Sequence, residues 1–202
     1  MDPAMSASGK PIYPPPDAIP AAMNATPLAQ QMTHHAPMPQ TGLVHIYMGN
    51  GKGKTTASVG LTIRAHAHGL RVLFVQLLKN GLSGEIGILR QLENVRVLSG
   101  QADMKFSNEM ADDDRARTLA MHREFFETAV AIASRGEIDL LVLDEVFGAI
   151  ATGLLDGDAV YDFLQKKPAG LEVVLTGRDP EARFLALADY EKGMLAREGI
   201  DY

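Results

Sequence analysis

An apolar run, GLVHIYM (42–48), passes directly into the glycine-rich stretch GNGKG (49–53). KTTASVGLTIRAHAHG (54–69) follows, with helical spacing that stops at Gly69. Strand, glycine loop and helix in that order constrain the fold more than any other feature of this chain. Glycines let a backbone approach its ligand closely, and the free N–H groups of a helix start point at an anion. A phosphate-cradling loop usually reads glycine, four free positions, then Gly-Lys-Ser/Thr. Here Met48 stands where the first glycine belongs, and Gly49 follows one step late. Requiring Gly49 and Gly51 beside Gly53-Lys54-Thr55 makes a chance match about two hundred times rarer, since glycine is roughly 7% of residues. Lys54 offers a point charge to phosphates, and Thr55 offers a hydroxyl to Mg²⁺. The loop reads as a nucleotide triphosphate site.

Beyond it, near-continuous apolar strands alternate with helical stretches. LRVLFVQLL (70–78), NVRVLS (94–99), IDLLVLDE (138–145) and LEVVLTG (171–177) read as strands. DDDRARTLAMHREFFETAVAIASRG (112–136) reads as a long helix, acidic at its start and stopped by Gly136, and a further helix is expected around 158–166. Strands apolar on both faces, alternating with helices, indicate a mostly parallel sheet covered on both sides. The predicted class is therefore α/β. Residues 42–202 form one domain, and residues 1–41, which hold most of the chain's prolines, read as an extended or disordered segment.

Charge and composition exclude several functions. The 202 residues carry a net charge of −6 and no basic stripe, so nucleic-acid binding is not expected. With no cysteine there is neither a disulfide nor a thiolate metal site. No apolar run has the length of a membrane span and the start lacks the order of a secretory signal, so the expected location is cytoplasmic.

LLVLDE (140–145) places Asp144 and Glu145 at the end of a strand, where ligands of open α/β sheets bind and where a metal-binding acid belongs beside a phosphate loop. At least one of the two is expected to hold the metal. Arg64, along the helix from the loop, and Arg178, after LTG (175–177), are candidates for phosphate contact or solvated surface residues. His66 and His68 read as helix-end residues rather than ligands.

Taken in order, GNGKGKTT (49–56), HGLRVLFVQLLK (68–79) followed by Gly84-Glu85, LLVLDE, LTGR (175–178) and the terminal GIDY resemble the ATP:corrinoid adenosyltransferases of the bacterial cobalamin pathway. The resemblance spans residues 43–202. It implies a P-loop NTPase-like (RecA-like) fold, and it explains the displaced glycine, because that family uses the variant loop as its norm. It also implies the reaction: cob(I)alamin or a corrinoid precursor, such as cob(I)yrinic acid a,c-diamide, attacks C5′ of ATP and releases triphosphate. By the same resemblance Gly49, Asn50, Gly51, Lys52, Gly53, Lys54, Thr55 and Thr56 hold the triphosphate, Thr55 and Glu145 a Mg²⁺ or Mn²⁺ ion, and Arg64 a terminal phosphate. Gln76, Lys79 and Glu85 match positions around the same cleft. A homodimer and a flavoprotein reductant are implied as well.

Cobalt becomes nucleophilic only when four-coordinate, and the family wedges aromatic side chains where the lower ligand was. In ADMKFSNEM (102–110) the matching residues are Met104 and Phe106. Two further departures stand out. The N-terminal segment is proline-rich where the family has a helical arm, and LALADYEKG (185–193) runs on where relatives insert a short strand, so an edge strand is expected to be lost. Two other functions stay open on these residues: an ordinary P-loop ATPase or kinase, and a non-catalytic protein that binds ATP and corrinoid.

Overall fold

In the computed structural model residues 41–100 and 110–193 are described. The readings of residues 1–40, of Met104 and Phe106, and of the terminal GIDY lie outside them.

Six strands form one sheet: β1 (Val44–Met48), β2 (Val72–Gln76), β3 (Val95–Ser99), β4 (Leu140–Asp144), β5 (Glu172–Gly177) and β6 (Tyr190–Gly193). Their order is β3-β2-β4-β5-β1-β6, and every pairing is parallel. Among the described residues six helices accompany them: α1 (Lys54–Ala67), α2 (Gly84–Leu89), α3 (Asp112–Ser134), α4 (Val146–Ala151), α5 (Gly157–Lys166) and α6 (Ala182–Leu185). This is the α/β, P-loop-like arrangement expected from the sequence.

The apolar runs explain the layering. Every residue of β2 and β4 is buried. Successive side chains of a strand point to opposite faces, so one run supplies two cores. Ile46, Leu73, Val75, Leu141, Leu143, Val173 and Leu175 pack with Phe126 and Ala129 of α3, Phe147 of α4, Val160 and Phe163 of α5, and Phe184 of α6. Their neighbours Val72, Phe74, Leu140, Val142 and Val174 pack with Ala65 of α1 and with Ile86 and Leu89 of α2.

The expected loss of an edge strand is corrected here. Tyr190–Gly193 pairs in parallel with β1, from His45 opposite Tyr190 to Met48 opposite Gly193. Asp189 fixes the entry: its carboxylate accepts the Val44 N–H at 2.8 Å, and its own N–H donates to the Val44 carbonyl at 2.9 Å. All four residues of β6 are exposed. A strand with no buried face has no apolar alternation to read, so its backbone pairing alone defines it.

Parallel strands bring the loops after β1, β2, β4 and β5 to one edge of the sheet. That edge is where ligands of open α/β sheets bind.

Candidate functional site

The loop between β1 and α1 turns on two glycines. Gly49 and Gly53 both have φ of 109°, a region closed to most side chains. Gly53 is also the N-cap of α1, so the first N–H groups of that helix are left for an anion. Lys54 is buried, and its ammonium folds into the loop, donating to the carbonyls of Gly49 at 2.6 Å and Gly51 at 3.0 Å. A cation is thus held at the concave side of the loop, where phosphate oxygens would meet it.

Thr55, one residue on, reaches the end of β4. Its hydroxyl lies 3.0 and 3.1 Å from the two carboxylate oxygens of Asp144. Asp144 is fully buried. It accepts a further bond from the Thr176 hydroxyl of β5, at 2.8 Å, and one from the Lys79 ammonium, at 3.0 Å. Lys79 also donates to the Thr55 hydroxyl at 3.0 Å. The Thr176 oxygen in turn accepts the backbone N–H of Glu145 at 2.9 Å. A buried carboxylate is stable only when paired and hydrogen-bonded, and Asp144 has both.

Of the two carboxylates read from LLVLDE, the structure brings Asp144 to Thr55. Glu145 has a φ of 62° and turns the chain out of β4 into α4. Its carboxylate lies beside Gly148, with Oε2 3.5 Å from where a Cβ there would be. The turn is made tight by Gly177, where a Cβ would come within 2.7 Å of the Phe147 Cβ.

Gln76 and Glu85 extend the site along the sheet edge. Gln76 ends β2 directly opposite Asp144, is fully buried, and donates from Nε2 to Glu85 of α2 at 3.2 Å. Its Oε1 is buried without a hydrogen-bond partner among the described residues. Arg178 is exposed where β5 ends, at the same edge. Asn50, Lys52 and Thr56 are exposed on the loop and the first turn of α1.

Arg64 is not brought to the loop. It lies in the last turn of α1, exposed, about 15 Å along the axis from Lys54 at 1.5 Å per residue. The expected contact with a phosphate seated in the loop does not follow from this geometry, because the helix carries Arg64 toward the opposite end of the sheet. His66 binds Asn94, and His68 is the C-cap of α1, as helix-end residues should.

Two residues that support the site escaped the sequence reading. One is Thr176. The other is His122 of α3, fully buried, whose Nε2 accepts the Leu78 N–H at 3.3 Å while Nδ1 lies 3.2 Å from the Leu154 carbonyl. That pair of contacts fixes the tautomer with the proton on Nδ1, and burial lowers the pKa of the ring. Leu78, with φ of 56°, is thereby held just before Lys79.

Residues 40–202 match the family described as ATP:corrinoid adenosyltransferase BtuR/CobO/CobP. The chain belongs to that family. A corrinoid adenosyltransferase of Pseudomonas aeruginosa is 30% identical over 81% of this chain and 85% of its own length. One from Escherichia coli K12 is 29% identical over 81% of this chain and 87% of its own. The corrinoid adenosyltransferase CobA of Salmonella typhimurium is 29% identical over the same shares. Membership of the ATP:corrinoid adenosyltransferases agrees with the loop, the carboxylate strand and their meeting at one sheet edge. Among the described residues, no helix is long and apolar enough to cross a membrane.

Proposed function

We propose that the protein transfers the 5′-deoxyadenosyl group of ATP to the cobalt of a reduced corrinoid and releases triphosphate. One observation carries this reading beyond family membership: Thr55 meets the buried Asp144 beside a loop whose lysine already faces inward. That arrangement can hold a triphosphate, and in the reaction of the family the triphosphate is the leaving group. Triphosphate gathers charge as the C5′–O bond breaks. Lys54 and the first N–H groups of α1 are pre-aimed at that charge, with little reorganisation needed as it develops. The attacking electron pair belongs to the cobalt of the substrate, so no side chain has to act as nucleophile. The protein's tasks are to bind, orient and exclude water.

The donor set fits a divalent cation. A hydroxyl and a carboxylate are hard oxygen ligands of the kind Mg²⁺ takes together with substrate phosphates, and Glu145 is adjacent in sequence. When bound, Mg²⁺ or Mn²⁺ would neutralise charge on the triphosphate. Thr55 and Asp144 would hold it, with Glu145 as the further ligand that the resemblance implies. Gln76 and Glu85 flank the same edge and offer acceptors to hydrogen-bond donors of either substrate. Met104 and Phe106 are proposed, on sequence alone, to displace the lower cobalt ligand. A cytoplasmic homodimer supplied by a flavoprotein reductant completes the proposal.

The test is anaerobic: protein, MgATP and chemically reduced cob(I)alamin or a corrinoid precursor, followed by absorbance and phosphate analysis. A light-sensitive alkylcorrinoid with an equal amount of triphosphate is the expected result. Orthophosphate in place of triphosphate would make the protein an ordinary P-loop hydrolase. Binding of both substrates with no cobalt–carbon bond would make it a carrier.

A further inference from the structure

The Lys79 ammonium stands 3.0 Å from the Thr55 hydroxyl and 3.0 Å from Oδ2 of Asp144. Those are the two side chains that a divalent cation would use. Asp144 is fully buried, so its charge needs a partner, and Lys79 is the cation in contact with it. Lys54 is engaged elsewhere, with the carbonyls of Gly49 and Gly51. The Lys79 side chain keeps 27% of its surface exposed, so it can withdraw toward solvent without opening the core.

We propose that Lys79 is the resident cation of the Thr55–Asp144 pair and makes metal loading conditional on nucleotide. This rests on the nucleotide and metal reading above and deepens it. A divalent ion arriving alone finds one carboxylate that is already neutralised and one hydroxyl that is already bonded. Among the described residues no cluster of three or more His, Asp or Glu offers a further set of ligands. Displacing a charge-assisted pair from so small a donor set is unfavourable. A triphosphate alters the balance in two ways. Its oxygens complete the metal's shell, and its negative charge gives the displaced ammonium a new partner. Nucleotide and metal therefore bind with positive coupling, and by linkage each raises the other's affinity equally. Lys79 then moves from Asp144 to the phosphates, and its charge is retained in the site throughout.

The geometry around Lys79 favours such a two-position side chain. The backbone before it is fixed, with Leu78 at positive φ, its N–H bonded to His122, and its side chain against Gly148. The anchor stays in place while the four-carbon stem rotates.

The test reads free Mn²⁺ by electron paramagnetic resonance in the absence of nucleotide, on wild type, Lys79→Met and Lys79→Arg. The expected result is that Lys79→Met binds Mn²⁺ at least tenfold more tightly than wild type, while Lys79→Arg does not. Adding Asp144→Asn to Lys79→Met should abolish the gain. Equal Mn²⁺ affinity in wild type and Lys79→Met would overturn the proposal, as would a gain that survives Asp144→Asn. Circular dichroism checks folding, and Lys79→Gln replaces Lys79→Met if the latter does not fold. Wild-type ATP binding is measured in the same series. If ATP fails to bind, the nucleotide reading itself falls. If ATP binds and Mn²⁺ affinity is unmoved by the variants, only the role of Lys79 falls.

Discussion

The Thr176 hydroxyl of β5 donates to Oδ1 of Asp144 on the neighbouring β4, at 2.8 Å, and accepts the Glu145 N–H at 2.9 Å. One oxygen thus joins the carboxylate at the strand end to the first peptide of the turn that leaves it. Both residues numbered 144 and 176 are fully buried. The Asp144 carboxylate is held in place by both strand and loop, because Thr176 and Thr55 each donate to its Oδ1.

Thr176→Val keeps the shape and removes the hydroxyl. It leaves the part-buried Glu145 N–H without its acceptor and the buried Asp144 short of one donor, at a cost of about 1–3 kcal/mol in stability. Metal-dependent turnover should fall further than global unfolding explains, whereas Thr176→Ser should recover most of it. Urea denaturation alongside steady-state kinetics checks both. A valine variant with wild-type kcat would show that Asp144 does not need this bond.

Gly177 follows in the chain and allows β5 to pass close to α4. A Cβ there would lie 2.7 Å from the Phe147 Cβ and 3.0 Å from its backbone nitrogen. Gly177→Ala should therefore push α4 away from the sheet, costing about 1–3 kcal/mol, as overpacking does. At this chain length that amounts to a fall in Tm of about 2–4 °C per kcal/mol. Gly170→Ala is the control, since a Cβ there meets nothing within 4 Å. Equal melting temperatures for the two variants would contradict the close approach.

Much of this was legible in the sequence, for reasons that differ by residue. The loop from Gly49 to Thr55 was readable because a phosphate cradle demands glycine conformations and a helix start at fixed spacing. The strands β2, β4 and β5 were readable because burial on both faces leaves unbroken apolar runs. Which of Asp144 and Glu145 meets Thr55 was not readable. It depends on where the strand's last inward position falls and on a hydroxyl 32 residues away on the next strand, in Thr176. Helices α2, α4 and α6 are too short to show a period. β6 has no buried residue. Arg64 had the right residue type and a family match, yet helix length, which a motif does not show, separates it from Lys54.

Lys54→Ala removes the ammonium that lies against the Gly49 and Gly51 carbonyls. The loop glycines and Asp144 remain, so the fold should persist. Loss of one pre-aimed charge from the leaving triphosphate should cost about 3 kcal/mol, or roughly 100-fold in rate. Single-turnover formation of the alkylcorrinoid measures it directly. Wild-type turnover in this variant would rule out the role given to the loop.

His122 sets a pH dependence of stability whose sign follows from its burial. The ring is fully buried, desolvation lowers its pKa, and its neutral form accepts the Leu78 N–H. In the unfolded chain the same histidine takes up a proton near pH 6.5. Below that pH the unfolded state binds a proton that the native state refuses, so stability falls as the pH drops from about 6.5 toward the lowered native value. Above 6.5 both states are neutral and the residue contributes no slope. A single proton limits the slope to about 1.4 kcal/mol per pH unit. Urea unfolding of wild type at pH 7.5, 6.0 and 5.0 should show this loss. His122→Gln, which cannot titrate, should show a shallower one. If the two proteins lose stability in parallel, other groups carry the acid sensitivity and the buried His122 does not.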